Sequence, residues 1–304
     1  MIVALIDNGS LEPAAHRNLR TVAAALSARV GVNVAAVSWK HSDRIPPRAF
    51  LGAATGDLIA SIDGAAPIEA RSDSPNGAWT LAPFIRAQVA LGQRDFLFVP
   101  FFISAQGAIG SALRGDLEKL RAELGHFEFA FADSLAARGA LPEIVAARIC
   151  ETILDKNLSR PAVIIVDHGG PSAVSAALRD QIAASVRVLV SPEIGPLAAA
   201  SMEGGEHAHN RPLLADALAL PAFARGDVVI APLFLSPGRH AGPNGDLARI
   251  ARAASPEPVE RAAGRATPLR CHFTELVGTH PAVIDTLAAA LRDALTPTPT
   301  SLSA

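Results

Sequence analysis

From Ala162 onward the chain repeats itself, and this constrains its fold more than any single motif. AVIIVDHGG at 162–170 answers IVALIDNGS at 2–10, and DVVIAPLFLSPGRHAGPNGDL at 227–247 answers DFLFVPFFISAQGAIGSALRGDL at 95–117. Near the two ends, LRCHFTELVGTHPAVIDTLAAAL at 269–291 answers FEFAFADSLAARGALPEIVAARI at 127–149. Self-similarity at a fixed period marks a repeated structural unit. One reading of the local pattern must therefore serve both halves.

In the first half that reading is clear at most points. Ile2–Ile6, Val32–Trp39, Phe96–Ile103 and Phe127–Ala132 are short apolar runs of strand length, each closed by polar or breaker residues. Between them, Ala15, Leu19, Val22 and Leu26 recur at helical steps after Pro13, which suits a first turn. Thr80–Leu91, Leu113–Leu124 and Pro142–Leu154 read as further helices, whereas residues 48–78 have no clear period. In the second half, Val186–Val190 alternates like a strand, but Val174, Leu178, Ile182, Val186 and Leu189 also share one helical face. Matching the halves favours a helix over Pro171–Leu189, with Pro196–Met202 as the second strand.

Each half thus reads β-α-β-α-β-α-β. That order implies an α/β fold of two tandem lobes, each a four-stranded parallel sheet flanked by helices with right-handed crossovers. The expected boundaries are 1–157 for the first lobe, 158–296 for the second and 297–304 for a disordered Pro/Ser/Thr-rich tail. Ligand pockets favour interfaces between such lobes.

Composition removes several classes of function. Net charge is −2 over 304 residues, so no general polyanion-binding surface is expected, and no zinc-finger spacing or aromatic–basic platform points to nucleic acid. Cys150 and Cys271 are too few and too far apart for a disulfide framework or a thiolate metal site, which suits a cytoplasmic protein. The start, MIVALIDNGS, has no basic segment and reaches Asp7 quickly, so neither a signal peptide nor a membrane span is expected. There is no G-x-G-x-x-G after a strand and no Walker loop, hence no nucleotide cofactor; G-x-S-x-G and H-E-x-x-H are also missing.

What remains is a set of polar residues just past three strands of the second half: His168, Glu203 and His240. In open parallel sheets, ligands bind beyond the carboxyl ends of the strands. Two imidazoles and a carboxylate suit a divalent first-row metal and can also take up protons near neutrality. A solvated loop histidine is the alternative for each taken alone. The first half, however, has Asn8, Lys40 and Ala108 or Ile109 at these places, so it keeps the scaffold and loses all three groups together. Arg239 can pair with a substrate carboxylate or be a plain surface charge. Glu206, His207 and His209 offer a weaker metal-binding set, His280 reads as structural before Pro281, and His16, His41 and His126 form no motif in the sequence, so surface or satisfied polar positions are their default. Asp246, after Gly245, reads as a helix cap.

VIIVDHGG, AAASME and above all PLFLSPGRHAGPNGD resemble the CbiX/SirB-type chelatases, also called sirohydrochlorin cobaltochelatases or class II chelatases. The resemblance spans both halves as a duplicated chelatase-like fold, with its sharpest motifs in the second. It implies a lyase-type enzyme of cobalamin or sirohaem biosynthesis. Such an enzyme inserts Co²⁺, or alternatively Ni²⁺, Fe²⁺ or Zn²⁺, into sirohydrochlorin or a related tetrapyrrole without ATP. It also implies that His168 and His240 hold the metal, that Glu203 is the acidic partner with Glu206 second, and that Arg239, Gly169 and Gly238 lie against the substrate. Tetrapyrrole is the implied partner, with no nucleic acid or membrane, in a monomer or homodimer. The rival reading is a metal or tetrapyrrole carrier on the same fold, without turnover.

Overall fold

A computed structural model describes residues 1–45, 78–104, 108–255 and 268–296. The unperiodic stretch at 48–78 and the tail at 297–304 lie outside these, apart from Ala78. In chain order the first half contains β1 (Ile2–Asp7), α1 (Pro13–Val30), β2 (Val34–Ser38), β3 (Trp79–Thr80) and α2 (Leu81–Ala90). It continues with β4 (Asp95–Pro100), α3 (Ala108–Leu124), β5 (Glu128–Phe131) and α4 (Leu141–Asp155). The second half repeats the order as β6 (Ala162–Asp167), α5 (Ala173–Leu189), β7 (Leu197–Ser201) and α6 (Leu214–Ala219). Then follow β8 (Gly226–Pro232), α7 (Asp246–Ala254), β9 (Leu269–Phe273) and α8 (Pro281–Leu295). The ambiguous Val186–Leu189 stretch is helical, as the repeat required.

All strand pairings are parallel, in the orders β3-β2-β1-β4-β5 and β7-β6-β8-β9. The first sheet therefore has five strands where four were expected. Its extra strand, β3, is two residues long, too short to show any alternation in sequence. The second sheet keeps its counterpart as one parallel bridge, Ser201 to Leu213, just before α6.

The duplication holds at the level of single hydrogen bonds. Trp39 N donates to Asp7 O at 2.7 Å, as Met202 N does to Asp167 O at 2.8 Å. Lys40 N donates to Asn8 O at 3.3 Å, as Glu203 N does to His168 O at 3.1 Å, so Asn8 and Lys40 are the counterparts of His168 and Glu203. The third position differs in structure as well as sequence. Residues 236–245, SPGRHAGPNG, form a loop held by Pro237 and Pro243, whereas α3 already begins at Ala108 in a stretch without proline. His240 therefore sits on a proline-bearing loop, whereas its counterpart Ala108 or Ile109 is already in the first turn of α3.

The chain divides into two compact units, residues 1–105, 109–138 and 284–304 in one, and 106–108 with 139–283 in the other. These differ from the expected 157/158 boundary in the closing helices. In the first unit, Ile6, Val37, Phe84, Phe98 and Phe127 form the buried centre of the core, and Arg292 and Asp285 of α8 bond to Arg29 at the end of α1. In the second unit, α4 buries Ile144, Val145 and Ile149, and its Arg148 donates to Thr279 Oγ1 at 2.9 Å. The core of the second unit is built on Ile164, Val166, Val228, Ile230 and Leu214.

Candidate metal-handling site

In the second sheet β6 is central, with β7 on one side and β8 on the other, so the switch point lies between the carboxyl ends of β6 and β8. His168 follows β6 and His240 follows β8. Their rings stand perpendicular at 89° with centroids 4.7 Å apart, and Phe234 lies 6.4 and 6.5 Å from the two rings. Glu203, past β7, places Oε1 3.6 Å from His168 Nε2. The groups expected at the strand ends thus meet at one edge. Glu206 pairs instead with His207 at 3.6 Å. Among the described residues, no three His, Cys, Asp or Glu side chains stand as a closed metal-ligand set. The arrangement is an open pair of imidazoles with a carboxylate beside it.

Both imidazoles are oriented through Nδ1. His168 Nδ1 lies 2.9 Å from Gly169 O, which can only accept, so the proton is on Nδ1 and Nε2 carries the lone pair. His240 Nδ1 lies 2.6 Å from Asp246 Oδ2, giving the same result by a carboxylate–histidine contact. Burial, then the neighbouring His168 and Arg239 charges, lowers the His240 pKa, and Glu203 opposes the shift. Neutral imidazole, the form that binds metals, is thereby favoured. His168, Glu203 and His240 side chains are 47%, 58% and 29% exposed, so an incoming ion can reach them.

Close backbone approaches hold these groups. Gly169 has φ +82°, and a Cβ there would lie 2.1 Å from Glu203 O, so only glycine lets the β6 and β7 loops touch. Gly245 lets α7 close on the His240 loop, since a Cβ there would lie 2.7 Å from His240 O. Asp246 N and Leu247 N then donate to Arg239 O and His240 O, both at 3.1 Å. Gly238 is half-buried within that loop, and Arg239 is exposed, its Nε 3.8 Å from Asp246 Oδ2.

Asp246 corrects the reading of it as a helix cap. Gly245 is the N-cap, and the Asp246 carboxylate instead holds His240 with one oxygen and Arg249 with the other. Its sequence signal was the Gly- and Pro-rich HAGPNGD, a return loop short enough to bring the acid back to the histidine. Arg179 was also missed. Its side chain is 2% exposed and bonds to Asp167, Ser201 Oγ and His209 O. His209 Nε2 in turn lies 2.9 Å from Gly170 O, an oxygen that also accepts from Asn210 Nδ2 at 2.9 Å. The His207–His209 segment therefore braces the turn after His168, with the two rings stacked at 5.3 Å. Elsewhere, His280 Nδ1 accepts from Ala282 N at 3.2 Å, a helix-start role, His16 is buried and its pKa falls to about 4 by desolvation and the nearby Arg20, and His126 pairs with Glu128 on the surface.

The first unit is built differently at the equivalent place. Lys40 Nζ lies 3.9 Å over the Trp39 ring and 3.8 Å from Asp116, and Asp116 also accepts from Trp39 Nε1 at 3.1 Å. An ammonium group sits where the second unit has Glu203.

No helix among the described residues is long and apolar enough to cross a membrane. Residues 162–294 match the CbiX family model. The fold is that of solved chelatases. SirB from Bacillus subtilis with Fe³⁺ is similar at 12% identity and TM-score 0.60, covering 96% of this chain and 95% of that one. A CbiX described as the terminal enzyme of siroheme biosynthesis in denitrifying bacteria gives 16% identity, TM-score 0.55 and coverage of 97% and 99%. The sirohydrochlorin chelatase SirB of Bacillus subtilis subspecies spizizenii, in complex with cobalt, gives 11%, 0.58, 96% and 95%. No curated protein matches.

Proposed function

We propose that this protein, whose residues 162–294 match the CbiX family model on a chelatase fold, inserts a divalent metal into a sirohydrochlorin-type tetrapyrrole without nucleotide. The observation that supports the reading is the imidazole pair, its rings 4.7 Å apart, each Nδ1 engaged, and the Glu203 carboxylate 3.6 Å from His168 Nε2. In this account His168 and His240 take the arriving metal and replace part of its water shell. Glu203 offsets its charge and accepts one of the two pyrrole N–H protons, the other passing to solvent water. Asp246 keeps His240 in the metal-binding tautomer. Arg239 meets a substrate carboxylate, and Gly169 and Gly238, on the loops that carry His168 and His240, lie against the macrocycle. Cobalt is the proposed ion; imidazole and carboxylate also accept nickel, iron and zinc, so metal supply contributes to the choice. The proposed setting is cytoplasmic cobalamin or sirohaem synthesis, in a chain whose two lobes let a monomer suffice.

The test is the absorption spectrum of sirohydrochlorin with Co²⁺ and protein. Metallation faster than a protein-free control, and lost in the His168→Ala/His240→Ala double variant, is the expected result. A spectrum that shifts on binding but never metallates contradicts turnover and leaves a carrier, the reading favoured by the missing ligands of the first lobe.

A further inference from the structure

Beside the imidazole pair an open cavity of about 480 Å³ is lined by Met202, Glu203, Asp246, Arg249, Ile250 and Ala253. Its chemistry is divided. Met202, Ile250 and Ala253 offer apolar surface, and Arg249 is the cation among the lining residues. The Asp246 carboxylate is already engaged by His240 on one oxygen and by Arg249 on the other, with Arg239 3.8 Å away. The Arg249 side chain is nevertheless largely exposed, so donors of its guanidinium remain open to a second anion. Arg252 lies one turn further along α7, its Nη1 donating to Pro243 O at 3.3 Å. Arg249 is thus the one arginine in a lining whose acids are Asp246 and Glu203.

Resting on the chelatase reading, we propose that this cavity is a subsite for the carboxylated edge of the macrocycle, and that Arg249 is a specificity-determining residue which binds a peripheral carboxylate there. Apolar surface beside a forked cation fits a flat ring bearing an acidic side arm. Because Asp246 holds both Arg249 and His240, the same carboxylate ties the substrate-reading cation to the metal-holding imidazole. A macrocycle whose acid groups are masked loses this contact, whatever metal is supplied.

The experiment measures metal-free binding of sirohydrochlorin and of its methyl ester by absorbance titration, in the wild type, Arg249→Gln and Arg249→Lys, together with Co²⁺ binding in the absence of macrocycle. Arg249→Gln is expected to weaken sirohydrochlorin binding roughly tenfold, the worth of one charge-assisted contact, and to leave ester binding unchanged. Arg249→Lys recovers part of the loss. Co²⁺ binding by Arg249→Gln shows that the imidazole pair is still assembled. Equal sirohydrochlorin affinity in wild type and Arg249→Gln overturns the subsite, as does an equal loss for acid and ester, or a wild type that binds no tetrapyrrole. A final addition of Co²⁺ to the wild-type complex, followed by absorbance, separates the two readings: the expected binding pattern without metallation supports the subsite and sinks the chelatase reading.

Discussion

At the scale of single residues, two aspartates do opposite work. Asp246 orients a histidine, and its removal frees the His240 ring to rotate. Asp246→Ala is expected to weaken Co²⁺ binding by about 10- to 100-fold while circular dichroism stays native; unchanged affinity in a calorimetric titration would remove it from the site. Asp7, in the first unit, is buried with Gly9 N at 3.0 Å and Ser38 as hydrogen-bond partners and no cation paired with it among the described residues, and desolvation lifts its pKa to about 6. Its counterpart Asp167 has Arg179, whereas the residue matching Arg179 in the first half is Leu19. The folded state favours the neutral Asp7 acid, so this group's stabilisation is full below about pH 4, is lost between about pH 4 and 6, and stays lost above that. Asp7→Asn should stabilise the protein at pH 8 by up to about 3 kcal/mol, with little change at pH 4, in denaturant melts. Equal melts at pH 8 would place Asp7 in a more polar setting. Arg179 was visible in the repeat as a charge set against leucine, but periodicity alone reads a helical arginine as solvated. Only the fold reveals that its head group reaches Ser201 and His209.

At the scale of elements, the legible features were those with period or breakers. The alternating order, the parallel sheets and the helix over Val186–Leu189 followed from apolar spacing and from matching the halves. His168, Glu203 and His240 were legible because each follows a strand directly, and strand ends converge. The two-residue β3 and the early start of α3 were not legible, since a bridge of that length has no alternation and α3 opens in small residues with weak periodicity. The braced turns between β6 and β7 depend on Arg179. Arg179→Leu, which copies the first half, leaves the half-buried Asp167 without its cation and Ser201 Oγ and His209 O without their donor, and should cost about 3 kcal/mol in chemical unfolding. A cost below about 1 kcal/mol would mean that water replaces the guanidinium.

At the scale of the molecule, sequence halves and compact units differ by their closing helices. Continuity of the second unit over residues 139–283 has a practical consequence. A fragment of residues 139–283 carries α4 and the imidazole pair, and should unfold cooperatively and bind Co²⁺. One of residues 158–304 lacks α4 and leaves the surface that covers Ile144, Val145 and Ile149 open to water. If the 158–304 fragment proves the more heat-stable of the two, the unit boundaries are wrong.

The claim that joins these scales is that the His168–His240 pair of the second unit turns over substrate. Its most direct test counts moles of metallated sirohydrochlorin formed per mole of protein, with excess Co²⁺ and macrocycle, after subtraction of the protein-free rate. Many turnovers are expected for the wild type and none above background for His240→Ala. A count that stops at one, or a His240→Ala variant that works at the wild-type rate, would contradict it.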